Sequence, residues 1–217
     1  MLYNIRSKYI IQADYAYKYI IFTWIAIQVH FARGMHNHWV TSSYIAGKIV
    51  LYDSLPPTDE MCPNLQKQLA EIYGKTPCTI DTDILTVLHA SVQRQAGSND
   101  CGLFAIAFAL HAALGDNLNE AVFDQSQLRP HLVDCLTKGK LTSFPQGSFR
   151  SDRSCVTQVT TIPLLCHCKM PKSMDLIVKC NNCQQSFHYE CVSFEPSMST
   201  ANDWYCEDCK SLLSNED

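Results

Sequence analysis

The sequence predicts an α+β fold followed by a small module stabilised by zinc. Apolar residues alternate in several short segments, as in half-buried strands, and recur at helical spacing in others. The hydrophobic content of 47% is typical of a globular protein. The C-terminal part instead carries a dense set of cysteines, and 217 residues have room for one domain of about 150 residues plus such a module.

Seven elements are predicted in the body of the chain. The predicted strands span residues 25–31, 37–44, 49–52 and 85–92, with a turn at Ala46-Gly47-Lys48 between the second and the third. The predicted helices span residues 64–73, 99–114 and 127–136. Gly74 and Gly115 follow the first two helices, where glycine favours a C-terminal end. The domain expectation is a body at 1–141, a linker rich in Ser and Thr at 142–163 and a module at 164–212.

Residues 19–32 (YIIFTWIAIQVHFA) form a strongly apolar segment. A membrane span needs about 20 such residues, and the preceding tyrosines and Asp14 are unlike a signal peptide. We therefore expect a buried strand and no membrane partner. Outside the zinc set described next, the remaining cysteines are odd in number and scattered, which favours reduced thiols and an intracellular protein: Cys62, Cys78, Cys101, Cys135 and Cys155.

Eight residues near the C-terminus have the spacing of zinc ligands. They are Cys166, Cys168, Cys180, Cys183, His188, Cys191, Cys206 and Cys209. Thiolates two or three residues apart on a turn can share a tetrahedral Zn²⁺, so eight ligands predict two structural zinc ions. A disulfide-rich secreted tail is the alternative, but a histidine three residues before a cysteine has no role in a disulfide framework.

The order of these ligands resembles that of a PHD finger, the C4HC3 zinc module of chromatin proteins. The histidine is the fifth ligand, and Trp204 stands two residues before Cys206. The resemblance covers residues 164–212 and implies interleaved sites. Cys166, Cys168, His188 and Cys191 would hold one zinc, and Cys180, Cys183, Cys206 and Cys209 the other. Phe187 and Trp204 are expected to be core residues between the two sites.

The partner of such a finger is expected to be a basic peptide. Many PHD fingers bind the tail of histone H3, with aromatic side chains around a methylated lysine. The corresponding positions are here Leu165, Ile177 and Ser186, so an unmodified histone tail or another basic peptide is favoured. Residues 164–217 contain four lysines, no arginine and eight acidic residues, so direct nucleic-acid binding is not expected.

Three residues of the body form a candidate nucleophile site. Cys101 lies in the first turn of a predicted helix, where the helix dipole favours a thiolate, and Gly102 leaves room beside the sulfur. His38 and Asp53 fall on neighbouring predicted strands, so they can lie side by side as the base and its orienting group. Each residue also has a structural interpretation: most buried cysteines are inert, a histidine in a strand is usually structural, and Asp53 could cap a turn.

The local sequence around these residues resembles the ubiquitin-like-protease family. The strings are His38-Trp39, L-Y-D-S-L at 51–55 and Q-x5-C-G at 95–102. The family comprises SUMO-type cysteine proteases, distantly related to the adenovirus proteinase, with a papain-like fold. The resemblance, over residues 26–140, implies that His38 is the base, that Asp53 orients it and that Cys101 is the nucleophile. Gln95 would donate to the oxyanion, and Trp39 would line the channel for a diglycine tail.

Two functions are consistent with these patterns. The first is a cysteine peptidase that processes or removes ubiquitin-like modifiers, held on a basic partner in the nucleus, or in nucleus and cytoplasm, by its finger. The second is a non-catalytic, zinc-dependent peptide-binding protein of chromatin with a degenerate protease scaffold. Only 37 residues precede His38, and residues 1–25 show no counterpart of the family's N-terminal portion, so a shortened N-terminal part is expected.

Overall fold

The computed structural model describes residues 26–33, 37–45, 47–55, 60–76, 79, 82–148, 158–172, 177–195 and 204–213. Its strands are β1 (Ala26–Arg33), β2 (Asn37–Ile45), β3 (Lys48–Tyr52), β4 (Ile84–His89), β5 (Val159–Leu165), β6 (Met170–Pro171), β7 (Ile177–Lys179) and β8 (Ser186–His188). Its helices are α1 (Pro63–Tyr73), α2 (Cys101–Leu114), α3 (Gln125–Lys138) and α4 (Glu207–Leu213), with a 3₁₀ helix at Tyr189–Val192. None of the helices in these ranges is long and apolar enough to cross a membrane.

Six strands form one mixed sheet in the order β1-β2-β3-β4-β5-β6. β3 and β4 run parallel, and every other neighbouring pair is antiparallel. The hairpin between β2 and β3 turns at Gly47, whose φ of 77° is in the left-handed region that favours glycine. Strands and helices are mixed within one unit, so the α+β prediction is confirmed.

Helices cover both faces of this sheet. Residues alternate along β2, so that Ser42 bonds Tyr73 of α1 on one face and Thr41 bonds the Ala105 carbonyl of α2 on the other. The core on the α1 side is built from aliphatic and tyrosine side chains of β2–β5 and α1. The core on the α2 side is rich in aromatic residues, among them Phe104, Phe108, Phe123 and Phe144.

The C-terminal end of the expected linker is a strand of the sheet. Residues 159–163 begin β5, which pairs along β4 from Val159 opposite Leu88 to Pro163 opposite Ile84. The Ser, Thr and Pro content of residues 142–163 predicts a linker. The β-branched residues of this segment and the alternation of Ile162 and Leu164, both buried, instead favour a β-strand. Residues 149–157 of the segment lie outside the described residues.

Most other elements occur close to where the sequence predicts them. The largest difference is β4, which ends at His89 rather than at residue 92. Beyond His89 the chain leaves the ladder after one further bond, from the Ala90 amide to the Leu51 carbonyl, and turns towards the helix that carries Cys101. The helix itself begins at Cys101, two residues later than predicted.

Candidate active site and metal clusters

His38 and Asp53 are hydrogen-bonded across neighbouring strands. His38 is near the start of β2 and Asp53 directly follows β3, and the antiparallel pairing brings the two together. The distance from His38 Nε2 to Asp53 Oδ1 is 2.6 Å. Asp53 Oδ1 also accepts from the Leu55 amide at 2.8 Å, which fixes the carboxylate. The arrangement can orient an imidazole and stabilise its protonated form.

The electrostatics of His38 favour the charged imidazole. Burial opposes its protonation, but the hydrogen bond and the negative charge of Asp53, with a smaller contribution from Cys101, outweigh burial and raise the pKa of His38. Nδ1 of the ring is buried and has no hydrogen-bond partner among the described residues. Cys101 is close enough to contribute to the raised pKa of His38, although its sulfur is not within hydrogen-bond distance of Nδ1. Such bonds commonly shorten only when substrate binds.

Cys101 is the first residue of α2 and is 8% exposed. The first amide groups of a helix have no partner within the helix and give this end a partial positive charge. Trp39 lies beside the next residue: a Cβ on Gly102 would be 3.5 Å from Cδ1 of the indole. Because Trp39 is 42% exposed, its ring forms part of the surface next to the thiol.

Gln95 is held at the other end of the short loop that precedes Cys101. Its Oε1 accepts from Ser54 Oγ at 2.7 Å, and its Nε2 donates to the Gly97 carbonyl at 2.9 Å. Its backbone amide also donates to the Ser54 carbonyl at 2.8 Å. Ser54 is 1% exposed, so this contact is shielded from water. Asp53 thus orients the His38 imidazole, and Ser54 orients the side-chain amide of Gln95. The sequence did not predict this role of Ser54.

The eight predicted metal ligands come together in two clusters. One consists of Cys166, Cys168, His188 and Cys191, and the other of Cys180, Cys183, Cys206 and Cys209. Within each cluster the ligand atoms all lie within 4.8 Å of one another. Sulfurs on one tetrahedral Zn²⁺ are about 3.8 Å apart, because each Zn–S bond is about 2.3 Å long. The distance between the sulfurs of Cys183 and Cys206 is 3.8 Å, so the donor geometry fits a metal ion.

Hydrogen bonds around the clusters prepare the ligands for a metal. His188 Nε2 lies 3.3 Å from the Pro171 carbonyl, which leaves Nδ1 facing Cys168 Sγ at 3.3 Å. Burial opposes ionisation of Cys180, but backbone amide donors, chiefly that of Cys206, outweigh it and lower the pKa of Cys180 to about 6. Phe187 and Trp204 pack edge to face between the clusters, with ring centroids 5.5 Å apart.

The chain belongs to the Ulp1 protease family. The sequence pattern of this family's C-terminal catalytic domain matches residues 3–138, more than half of the chain, and a PHD-finger pattern matches residues 166–209. The first match starts at residue 3, so it includes the N-terminal residues for which the sequence predicted no counterpart.

Two individual relatives are also similar to parts of the chain. The methyl-CpG-binding domain-containing protein 9 of Arabidopsis thaliana is 37% identical over 43 residues, which are 20% of this chain and 2% of that protein. The crystal structure of the C-terminal Ulp1 protease domain in complex with Smt3, the yeast ortholog of SUMO, is 21% identical. Its similarity covers 46% of this chain and 47% of that one, with a TM-score of 0.35.

Proposed function

We propose that the chain is a cysteine peptidase that cleaves after the C-terminal tail of a ubiquitin-like modifier, either to mature the modifier or to remove it from a conjugate. The observation that carries this proposal is the convergence of His38, hydrogen-bonded to Asp53 at 2.6 Å, on the thiol of Cys101 at the start of α2. Membership of the Ulp1 protease family supports the reaction class.

In this reaction His38 takes the thiol proton of Cys101, and the thiolate attacks the carbonyl carbon of the scissile bond. The C=O electron pair moves to oxygen, and the resulting oxyanion accepts hydrogen bonds from the Cys101 amide and from Gln95 Nε2. When the tetrahedral intermediate collapses, the imidazolium of His38 gives its proton to the departing amine. Water then hydrolyses the thioester with His38 as base, which regenerates the thiol.

The substrate tail would approach along Trp39. Its indole lies next to Gly102 and is partly exposed beside the thiol, so a wide residue in the tail would meet the ring. Glycine at the last two positions of the substrate would avoid this contact. This geometry supports a diglycine-like tail as the cleaved sequence.

The C-terminal finger would carry two structural zinc ions and bind a basic peptide. One cluster offers three thiols and an imidazole and the other four thiols, and these are donors that Zn²⁺ prefers. Leu165, Ile177 and Ser186 offer no aromatic ring for a methylated lysine, and the acidic charge of the finger favours an unmodified basic tail such as that of a histone. The PHD-finger match and the similarity to a methyl-CpG-binding domain-containing protein support a nuclear location.

A modifier probe with a C-terminal electrophile tests the peptidase. The parent protein should form a covalent adduct, and Cys101→Ser should form none. Cys62→Ser is the matched control, because Cys62 is a partly buried free cysteine that precedes α1, and this variant should label like the parent. If folded parent protein is not labelled by any modifier probe, the peptidase is refuted and the non-catalytic peptide-binding function is favoured.

A further inference from the structure

The loop before the nucleophile, residues 95–100, is hydrogen-bonded to two residues of α3, Gln125 and Arg129. Gln125 Oε1 accepts from the Ala96 amide at 2.8 Å, and its Nε2 donates to the Ala96 carbonyl at 2.9 Å. The same Nε2 donates to Asp100 Oδ2 at 2.7 Å. Gln125 therefore uses both its polar side-chain atoms on this loop, which joins Gln95 to Cys101.

Asp100 stands at the N-cap position of α2 but does not cap it. An aspartate at this position commonly accepts from an amide of the first helical turn. Here its side chain makes no such bond, and its backbone φ of −111° and ψ of 9° differ from the usual extended cap conformation. Both carboxylate oxygens face α3 instead, Oδ2 towards Gln125 and Oδ1 towards Arg129 Nη2 at 2.8 Å.

We propose that Gln125 and Arg129 are positioning residues that hold the Asp100 carboxylate away from the N-terminus of α2. This proposal rests on the proposed peptidase function of Cys101. A carboxylate that capped the helix would occupy a first-turn amide and bring a negative charge next to the sulfur. Both effects would weaken the positive end of the helix dipole, which favours a thiolate at such a position. Turned towards α3, the Asp100 carboxylate is bound by the Arg129 guanidinium and the Gln125 side-chain amide. The backbone amides in the first turn of α2 then remain available for the reaction at Cys101.

The test follows alkylation of Cys101 by iodoacetamide as a function of pH, in the full zinc-loaded chain, with the Cys101 peptide quantified by mass spectrometry. The combined variant Gln125→Ala/Arg129→Ala should shift the midpoint upward by about half to one pH unit, because the freed carboxylate can cap α2. Adding Asp100→Ala should move the midpoint back towards the parent, because no carboxylate is left to cap the helix. A role limited to loop stability predicts no such rescue.

The other titratable groups around Cys101 remain in every variant, so a shift reports on Asp100 and its partners. They are His38 on β2 and Asp53 after β3, and His89 at the end of β4 interacts in turn with Asp53. The matched control is Asp134→Ala/Lys138→Ala, which removes an exposed ion pair of 2.7 Å at the C-terminal end of α3. It should leave the alkylation profile unchanged.

Two outcomes would overturn the positioning role. The first is an unchanged profile in the combined variant, and the second is a shift that Asp100→Ala does not reverse. If the combined variant does not fold, Arg129→Ala alone keeps the test open, because this side chain is 64% exposed and its loss should give a smaller shift of the same sign. Failure of the modifier probe on the parent would refute the peptidase without affecting the alkylation result, so the two failures are distinguishable.

Discussion

Replacing Asp53 with asparagine should move the pKa of His38 from above its ordinary value to below it. In the parent, burial opposes protonation, but the hydrogen bond and charge of Asp53 outweigh burial and raise the pKa above 6.5. Asparagine has the same shape, and its carbonyl oxygen can still accept from His38 Nε2 and from the Leu55 amide. The substitution therefore removes the negative charge and little else, and burial becomes the larger effect.

The size of the change follows from the 2.6 Å contact. Hydrogen bonds with a charged partner contribute about 1.5–3 kcal/mol and neutral ones about 1 kcal/mol. The difference corresponds to roughly one pH unit, since one unit is about 1.4 kcal/mol. The side chains of His38 and Asp53 are 13% and 25% exposed, so solvent screens the pair only in part.

The assay is a titration of the histidine ring protons by NMR in the parent and in Asp53→Asn. His89 is an internal comparison: burial lowers its pKa and the charge of Asp53 opposes this, so its pKa should also fall in the variant. A His38 pKa that stays above 6.5 in Asp53→Asn would refute the electrostatic reasoning. A fall at His38 with none at His89 would restrict the effect of Asp53 to its direct hydrogen bond.

The same shift predicts how stability depends on pH. A histidine whose pKa is raised by folding stabilises the native state fully below the unfolded pKa, and this contribution is lost as the pH rises through the folded pKa. The difference in unfolding free energy between the parent and Asp53→Asn should therefore be larger at about pH 6 than at about pH 9. Urea unfolding at the two pH values measures it, and the opposite trend would contradict the assigned direction.

Three further perturbations have defined outcomes. Burial lowers the pKa of His30 to about 4, so the free energy of unfolding should fall by roughly 3 kcal/mol as the pH drops from 6.5 towards 4. Urea unfolding should show that His30→Asn removes this pH dependence. The same loss of stability with pH in the variant would contradict the role of His30. Ser54→Ala removes the donor to Gln95 Oε1 and should lower kcat about tenfold with KM unchanged. The control Ser98→Ala, at an exposed serine, should leave both kcat and KM unchanged. A change in KM alone in Ser54→Ala would refute the role of Ser54. Chelation of zinc should unfold the finger and increase hydrogen exchange in β5, and unchanged protection there would show that the strand does not depend on the metal.

The candidate site was predictable where the chemistry is carried by residue type and spacing. The spacing of the eight ligands predicts two clusters because cysteine and histidine at such short intervals have few other uses. His38 and Asp53 were placed together because a hairpin sets which residues of two strands are neighbours. Cys101 was placed at a helix start because an apolar run begins there and ends at Gly115.

The residues that the sequence did not predict act across long intervals of the chain. Ser54 contacts Gln95 from 41 residues away, and Gln125 and Arg129 contact the loop before Cys101 from 25 to 29 residues away. Serine, glutamine and arginine are common on surfaces, and no local pattern distinguishes these from the others. The strand β5 was missed for another reason: its Ser and Thr neighbours favour a loop, and its partner β4 is about 75 residues earlier, a separation at which no local pattern reports pairing.

The finger and the protease sheet are joined by more than a connecting segment. β5 lies in the sheet beside β4 and ends one residue before Cys166, and β6 continues the same sheet two residues after Cys168. On the α1 side, Lys169 donates to Asp83 at 2.8 Å, and its carbonyl lies 3.0 Å from the point where a Cβ on Gly74 would stand. A Cβ at position 74 would also lie 2.5 Å from the Ala70 carbonyl oxygen, so a larger residue there would shift either the end of α1 or the turn that carries Cys166 and Cys168. Because β5 lies in the sheet and leads directly into the first cluster, a metal ion bound there would stabilise the edge of the sheet as well as the finger.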